Sequence, residues 1–187
     1  MAPAGDRVPI WNSFFELAWS EAKRCFEINH RCTSGSTFDP VDGGTLPRDQ
    51  HHALAAITLC TLAIEARANH LIDELAEDGG LSKDTARAAK WLPTKEKWFL
   101  LPALAGKGIQ LSAATQPHQA IAQICDLRNV IMHVKFDEIA RKLPAVGTIE
   151  GYFKGFVEAM EDMNIVLKRG VSAPRPEVLA KGRFTCL

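Results

Sequence analysis

The chain has 187 residues, 47% of them hydrophobic, which suits one domain of ordinary size whose core needs no disulfide or metal staple. Lysine plus arginine equals aspartate plus glutamate at 22 each, so no global positive field gathers polyanions, and a general DNA or RNA binder with a strongly basic surface is disfavoured. No apolar run reaches membrane-span length, no signal pattern opens the chain, and the five cysteines are irregularly spaced; the expectation is a reduced, cytoplasmic protein with no membrane partner.

Residues 9–29 read as the first helix, with Ile10, Phe14, Leu17 and Glu21 at helical spacing and Phe15, Trp19 and Phe26 beside them. A loop rich in helix breakers follows over about 31–46; a connection of that length in a compact domain is usually functional or mobile. The second helix covers 47–77, where Leu54, Ile57, Thr61, Ile64, Ala68, Leu71 and Leu75 alternate in steps of three and four, the seam of a bundle helix. Gly79 and Gly80 end it. Ser82 is placed to cap a short helix reaching about Trp91, and Thr94 to cap another that carries Trp98, Leu101 and Leu104. Both Trp91 and Trp98 are expected in the core. Cys60 and Cys125 sit within helical apolar patterns, where a thiol acts as a small hydrophobe.

Thr115 and Pro117 open the next helix, whose buried face is read as Ile121, Ile124, Leu127 or Arg128, Ile131 and Met132. The last helix runs over about 148–170 with a seam of Phe153, Phe156, Met160, Met163 and Leu167. On it Gly151, Gly155 and Ala159 form a stripe of small residues at spacing four, which lets another helix approach closely, within the bundle or across a dimer. Residues 171–187 read as a C-terminal tail, so the domain is 1–170. With no strand signal and no internal repeat, the expected fold is all-α: an antiparallel up-and-down bundle of four to five main helices plus short ones.

The densest set of reactive groups is Arg128-Asn129-Val130-Ile131-Met132-His133, at the end of an apolar helical stretch. Arginine and histidine are the smallest set that can cleave a phosphodiester without a metal: His moves a proton near neutral pH, and Arg holds the phosphate and its developing charge. Arg128 and His133 are five residues apart, about 140° around an ideal helix, whereas Asn129 and His133 are four apart and share a face. Arg128 and His133 therefore converge only through the reach of Arg, a distorted last turn, or a symmetry mate. Glu65 and Asn69, also four apart, lie stacked beside the seam of the second helix. Lys95, Lys97, Lys107 and Lys135 are candidates to line a phosphate path, or are simply solvated. His51 and His52 point about 100° apart and read as solvated residues at a helix start. Cys25, His30 and Cys32 lack the second ligand pair of a zinc site, so no metal and no cofactor are expected.

An Arg-Asn pair followed by three apolar residues and His, closing a helix, resembles the Arg-x4-6-His signature of the HEPN superfamily of small helical-bundle proteins. Glu65-Ala66-Arg67-Ala68-Asn69 is similar to an acidic-plus-amide pattern on an earlier helix of several HEPN groups, and 95–102 resembles a connecting segment in one of them. The resemblance covers about 53–136. It implies a homodimer that brings two motifs together, and a metal-independent endoribonuclease acting on RNA through the ribose 2′-OH. His133 would be its general base or acid, Arg128 would grip the scissile phosphate, and Asn129 would orient the backbone or the His. Glu65 and Asn69 would support them by setting the His tautomer or the Arg rotamer. Many members work in toxin–antitoxin, CRISPR-linked or phage-defence systems, so an antitoxin or nucleotidyltransferase partner is also implied. The alternatives are a non-catalytic HEPN module binding a nucleotide or partner protein, and a purely structural helical dimer. In the structural reading the helix dipole favours Arg and His near the C-terminus, and Glu65 pairs with Arg128 or Arg67.

Overall fold

A computed structural model describes residues 9–33, 48–133 and 142–169. Among them there are helices and no strands: α1 (Ile10–Thr33), α2 (Arg48–Glu77), α3 (Lys83–Lys90), α4 (Thr94–Leu104), α5 (His118–His133) and α6 (Val146–Leu167). The expected 31–46 loop, apart from the end of α1, and the 171–187 tail fall outside the described residues. The central helix is α2, which packs against all five others, most extensively along α1. Its seam is buried from Ile57 through Thr61, Ile64, Ala68 and Leu71 to Leu75, as its spacing predicts, and only Leu54 is partly exposed.

The first helix corrects the sequence expectation. Its buried stripe is Trp11, Phe15, Ala18, Trp19, Ala22 and Cys25, while Ile10 and Leu17 face outward. The large rings at 11, 15 and 19 carry more apolar area than the Ile10/Leu17 stripe, and burying them gains more. Two of them meet α6: Phe15 stacks on Phe156 at 5.1 Å between centroids, and Trp19 meets Phe153 edge-on at 5.5 Å. Glu21, on the flank of that stripe, bonds His52 Nδ1 at 2.6 Å, so His52 ties α2 to α1 rather than standing in solvent. His51 is exposed, as expected.

Helix ends follow local chemistry. The amide of Gly80 donates to the Leu75 carbonyl and that of Gly79 to Ala76, with Gly79 at φ +74°, so two orphan carbonyls of α2 are satisfied where the left-handed turn favours glycine. Ser82 caps α3, its Oγ accepting from the Thr85 amide at 3.1 Å. The last helix stops at Leu167, short of Gly170, with Lys168 in the left-handed region. Trp91 closes α3 and is 86% exposed, contrary to expectation, because it falls where the chain leaves the helix and no described element packs over it; Trp98 is fully buried.

The small-residue stripe divides in two. A Cβ on Gly155 would lie 2.5 Å from the Ala120 Cβ, so α5 and α6 touch there, whereas a Cβ on Gly151 meets nothing within 4 Å. Gly155→Ala is therefore expected to cost about 1–3 kcal/mol through overpacking, despite the better helix propensity of alanine. Gly151→Ala should be neutral or stabilising by up to about 1 kcal/mol. Urea unfolding of both variants checks the pair, and equal effects would contradict this packing.

Candidate functional site

The polar groups singled out on α2 lie opposite α3 and α4. Glu65, Asn69 and Asp73 recur every fourth residue and so line one face of α2. Each has a partner: Lys97 Nζ donates to Glu65 Oε1 at 2.8 Å and to Asn69 Oδ1 at 3.0 Å, the Thr94 hydroxyl donates to Glu65 Oε2 at 3.1 Å, and Lys90 pairs with Asp73. Thr94 is thus the first residue of α4 and not its cap; Pro93 takes the cap position, and the hydroxyl is spent on Glu65. The Lys97 side chain is 1% exposed while Glu65 keeps 42%, so a buried ammonium meets a carboxylate that still touches water.

Lys97 therefore lies in the interior and not on a solvated phosphate path. Lys95 is held by Asp126, with Nζ 2.7 Å from Oδ2 and 2.9 Å from Oδ1. Lys107 is partly buried, and Lys135 lies outside the described residues. Glu65 pairs with Lys97 rather than with Arg128 or Arg67. Arg67 belongs to a different region: it is buried, donating from Nη2 to Asn164 Oδ1 at 2.7 Å, with its guanidinium 5.2 Å from the centre of the Trp11 ring.

Arg128 and His133 occupy the last two turns of α5. Arg128 is half-buried and donates from Nη1 to Asn129 Oδ1 at 3.2 Å. Asn129 and His133 are exposed, and His133 has no hydrogen bond or ion pair among the described residues. On the same helix Ile121, Ile124 and Ile131 are buried as read from the sequence, but Met132 is 58% exposed. Met132 follows Ile131 by about 100°, which turns it out of the seam that Ile131 occupies.

Arg128 and Glu65 are linked by charge although not by an ion pair. Burial, the largest single influence, pushes the Glu65 carboxyl up. The Lys97 hydrogen bond and charge, the Thr94 hydroxyl and the Arg128 charge together outweigh it, holding Glu65 below the ordinary glutamate range. A carboxyl depressed on folding contributes stability above its unfolded pKa that is lost as pH falls through the folded value. Wild type is thus expected to be more stable than Glu65→Gln at neutral pH, the gap closing in acid. Denaturation curves from neutral into acid check this, and a gap that does not narrow as the pH falls would contradict it.

The thiols on this side of the bundle are not reactive groups. Burial foremost pushes Cys125 up to about 12 and raises Cys60 further, so both act as small hydrophobes, as expected. A cavity of about 460 Å³ is lined by Cys25, Asp49, Gln50, Ala53, Pro144 and Gly147 among others. It is ~18 Å or more along α2 from Glu65 at 1.5 Å per residue, and so is separate from the Glu65 cluster.

Two buried polar features carry little sequence signal. The Trp98 indole donates to His118 Nδ1 at 3.1 Å, which places the ring proton on Nε2, 2.8 Å from Asp162 Oδ2. That chain ties α4, α5 and α6 together. Lys97 is the second: only its place on the stripe of Thr94, Lys97, Trp98 and Leu101, at spacings of three and four, hints that it meets an acceptor on a facing helix. No family model, no curated protein and no solved structure matches this chain.

Proposed function

We propose that the protein is a metal-independent endoribonuclease of HEPN type. Its fold would be an antiparallel up-and-down bundle, and its site a cleft shared by the Arg128–His133 ends of two protomers. The observation that carries this reading is the chemistry at the end of α5: His133 and Asn129 open to solvent, with Arg128 half-buried behind them. Val130 and Met132 are exposed on the same stretch, giving an interface apolar area to cover. Pairing two such ends brings together what one helix holds about 140° apart.

In this site one His133 takes the proton of the ribose 2′-OH as that oxygen attacks phosphorus. The P–O5′ bond breaks, and the second protomer's His133, protonated beforehand, gives its proton to O5′, leaving a 5′-hydroxyl and a 2′,3′-cyclic phosphate. Arg128 holds the phosphate oxygens and offsets the charge that builds on them. Asn129 orients the last turn, and Glu65 and Asn69 fix the surroundings of Arg128. A role as a toxin or defence effector, with an antitoxin or nucleotidyltransferase partner, accords with this activity.

The balanced net charge and the neutralised Lys95 favour a second reading, a non-catalytic module that binds a nucleotide or partner protein. Oligonucleotides matched in sequence separate the two. The nuclease cuts RNA to cyclic-phosphate ends and leaves the 2′-deoxy version intact, whereas cleavage of both, or 3′-hydroxyl products, would exclude 2′-OH attack. The dimer is tested by a crystal structure; two His133 side chains on opposite outer faces would rule out the shared cleft.

A further inference from the structure

The cavity beside the start of α2 has walls of mixed chemistry. Cys25 of α1, Ala53 of α2, and Leu143 and Pro144 ahead of α6 give it apolar surface, while Asp49 and Gln50 give it oxygen acceptors. Its volume of about 460 Å³ lies within the range of about 300–1,000 Å³ that small-molecule sites occupy. Gln50 Oε1 is buried and has no hydrogen-bond partner among the described residues. Asp49 makes no hydrogen bond or ion pair among them either. The helix dipole favours an acidic residue in the first turn of α2, which accounts for a carboxylate there. It does not account for a second acceptor beside it, buried and unpaired on the same cavity wall, which is unfavourable until something donates to it.

Burial foremost, and then the charge of Asp49, push the Cys25 thiol up to about 11, so it stays protonated at neutral pH. Asp49 therefore carries the one side-chain charge among the described lining residues. The amino ends of α2 and α6 also border the cavity, each with about half a positive charge, and together they roughly offset that carboxylate. No general field then draws a cation in, and a guest is held by direct contact.

We propose that this cavity binds a small primary amine, whose ammonium donates to Asp49 and Gln50 Oε1 while its alkyl part lies against Cys25, Ala53, Leu143 and Pro144. An ammonium has donors and no acceptor, so it matches walls whose unpaired side-chain groups are acceptors. Its bond to the carboxylate is charge-assisted, which an alcohol of the same shape gains more weakly. A carboxylate of that shape would meet Asp49 as a like charge. The site shares no residue with the Arg128–His133 end of α5 and does not depend on the nuclease reading.

The test is a titration of n-butylammonium into the nitrogen-15-labelled chain at constant ionic strength, read by NMR at the amides of Gln50, Ala53 and Gly147. Saturable shifts centred on those residues are expected, with a Kd on the order of 1–10 mM for so small a probe. n-Butanol and butyrate should bind about tenfold more weakly or less. Asp49→Asn, which keeps the side-chain shape, should weaken the amine by about tenfold, and Gln50→Glu, which adds a second carboxylate, should tighten it several-fold. Shifts that do not saturate or that spread over the whole surface would overturn the proposal. So would butanol binding as well as the amine, or an unchanged affinity in Asp49→Asn. If Asp49→Asn does not fold, Gln50→Glu decides: tighter amine binding upholds the site, and unchanged or weaker binding sinks it.

Discussion

His133→Ala is expected to lower the rate of RNA cleavage by about 10²–10⁴-fold, the usual contribution of a positioned general acid or base. The fall should come without unfolding, because His133 is exposed and makes no hydrogen bond or ion pair among the described residues. Truncation of such a side chain changes stability by only about 0.5 kcal/mol, with up to about 1 kcal/mol more if a charged imidazole serves the C-terminal dipole of α5. Arg128→Ala should cost about 10²–10³-fold, as for other preorganised groups that meet transition-state charge. Arg128→Lys should not recover it, since an ammonium lacks the planar fork that grips two phosphate oxygens. Cleavage rates paired with urea unfolding of each variant check both halves. Equal rates in wild type and His133→Ala would remove His133 from the chemistry, and a large stability loss in Arg128→Ala at an unchanged rate would mark that residue as structural.

The second large effect is on the fold. Arg67 is 3% exposed and joins three helices: it stands on α2, bonds Asn164 of α6 and lies over the ring of Trp11 on α1. Burial foremost, and then the charge of Arg169, lower its pKa against the opposing pull of Glu74, so the guanidinium is held at a cost. Arg67→Ala is expected to destabilise the protein by about 3–5 kcal/mol, since it empties a buried volume and strips the fully buried Asn164 amide of its partner. Among the described residues Asn164 Nδ2, Arg67 Nε and Trp11 Nε1 have no hydrogen-bond partner. For that reason Arg67→Met with Asn164→Leu should regain most of the loss, the polar pair having been replaced as a unit. Urea midpoints of the three proteins decide the matter; an Arg67→Ala variant within about 1 kcal/mol of wild type would contradict it.

How far these features could be read from the residues depends on how local their causes are. The seams of α2 and α6 and the Ser82 cap follow from spacing and short-range hydrogen bonding, so periodicity finds them. In α1 two stripes compete, and partner groups far along the chain decide between them: the rings of Phe153 and Phe156 for Phe15 and Trp19, and Arg67 for Trp11. Trp91 and Met132 are apolar but sit where no described element covers them, which spacing along one helix does not reveal. Within the site, the stacking of Glu65 with Asn69 was legible as a fourfold step. Their partner was not, because a lysine is ordinarily read as solvated until a facing acceptor is known. The same holds for Arg67 and His118, whose partners Asn164 and Asp162 lie on another helix.

The central claim is cleavage of RNA by Arg and His without a metal, and its most direct test is purified wild-type protein incubated with RNA in excess EDTA. The account predicts cleavage undiminished by the chelator, with 2′,3′-cyclic phosphate and 5′-hydroxyl ends. Intact RNA, or cleavage that EDTA abolishes and added divalent cation restores, would contradict it.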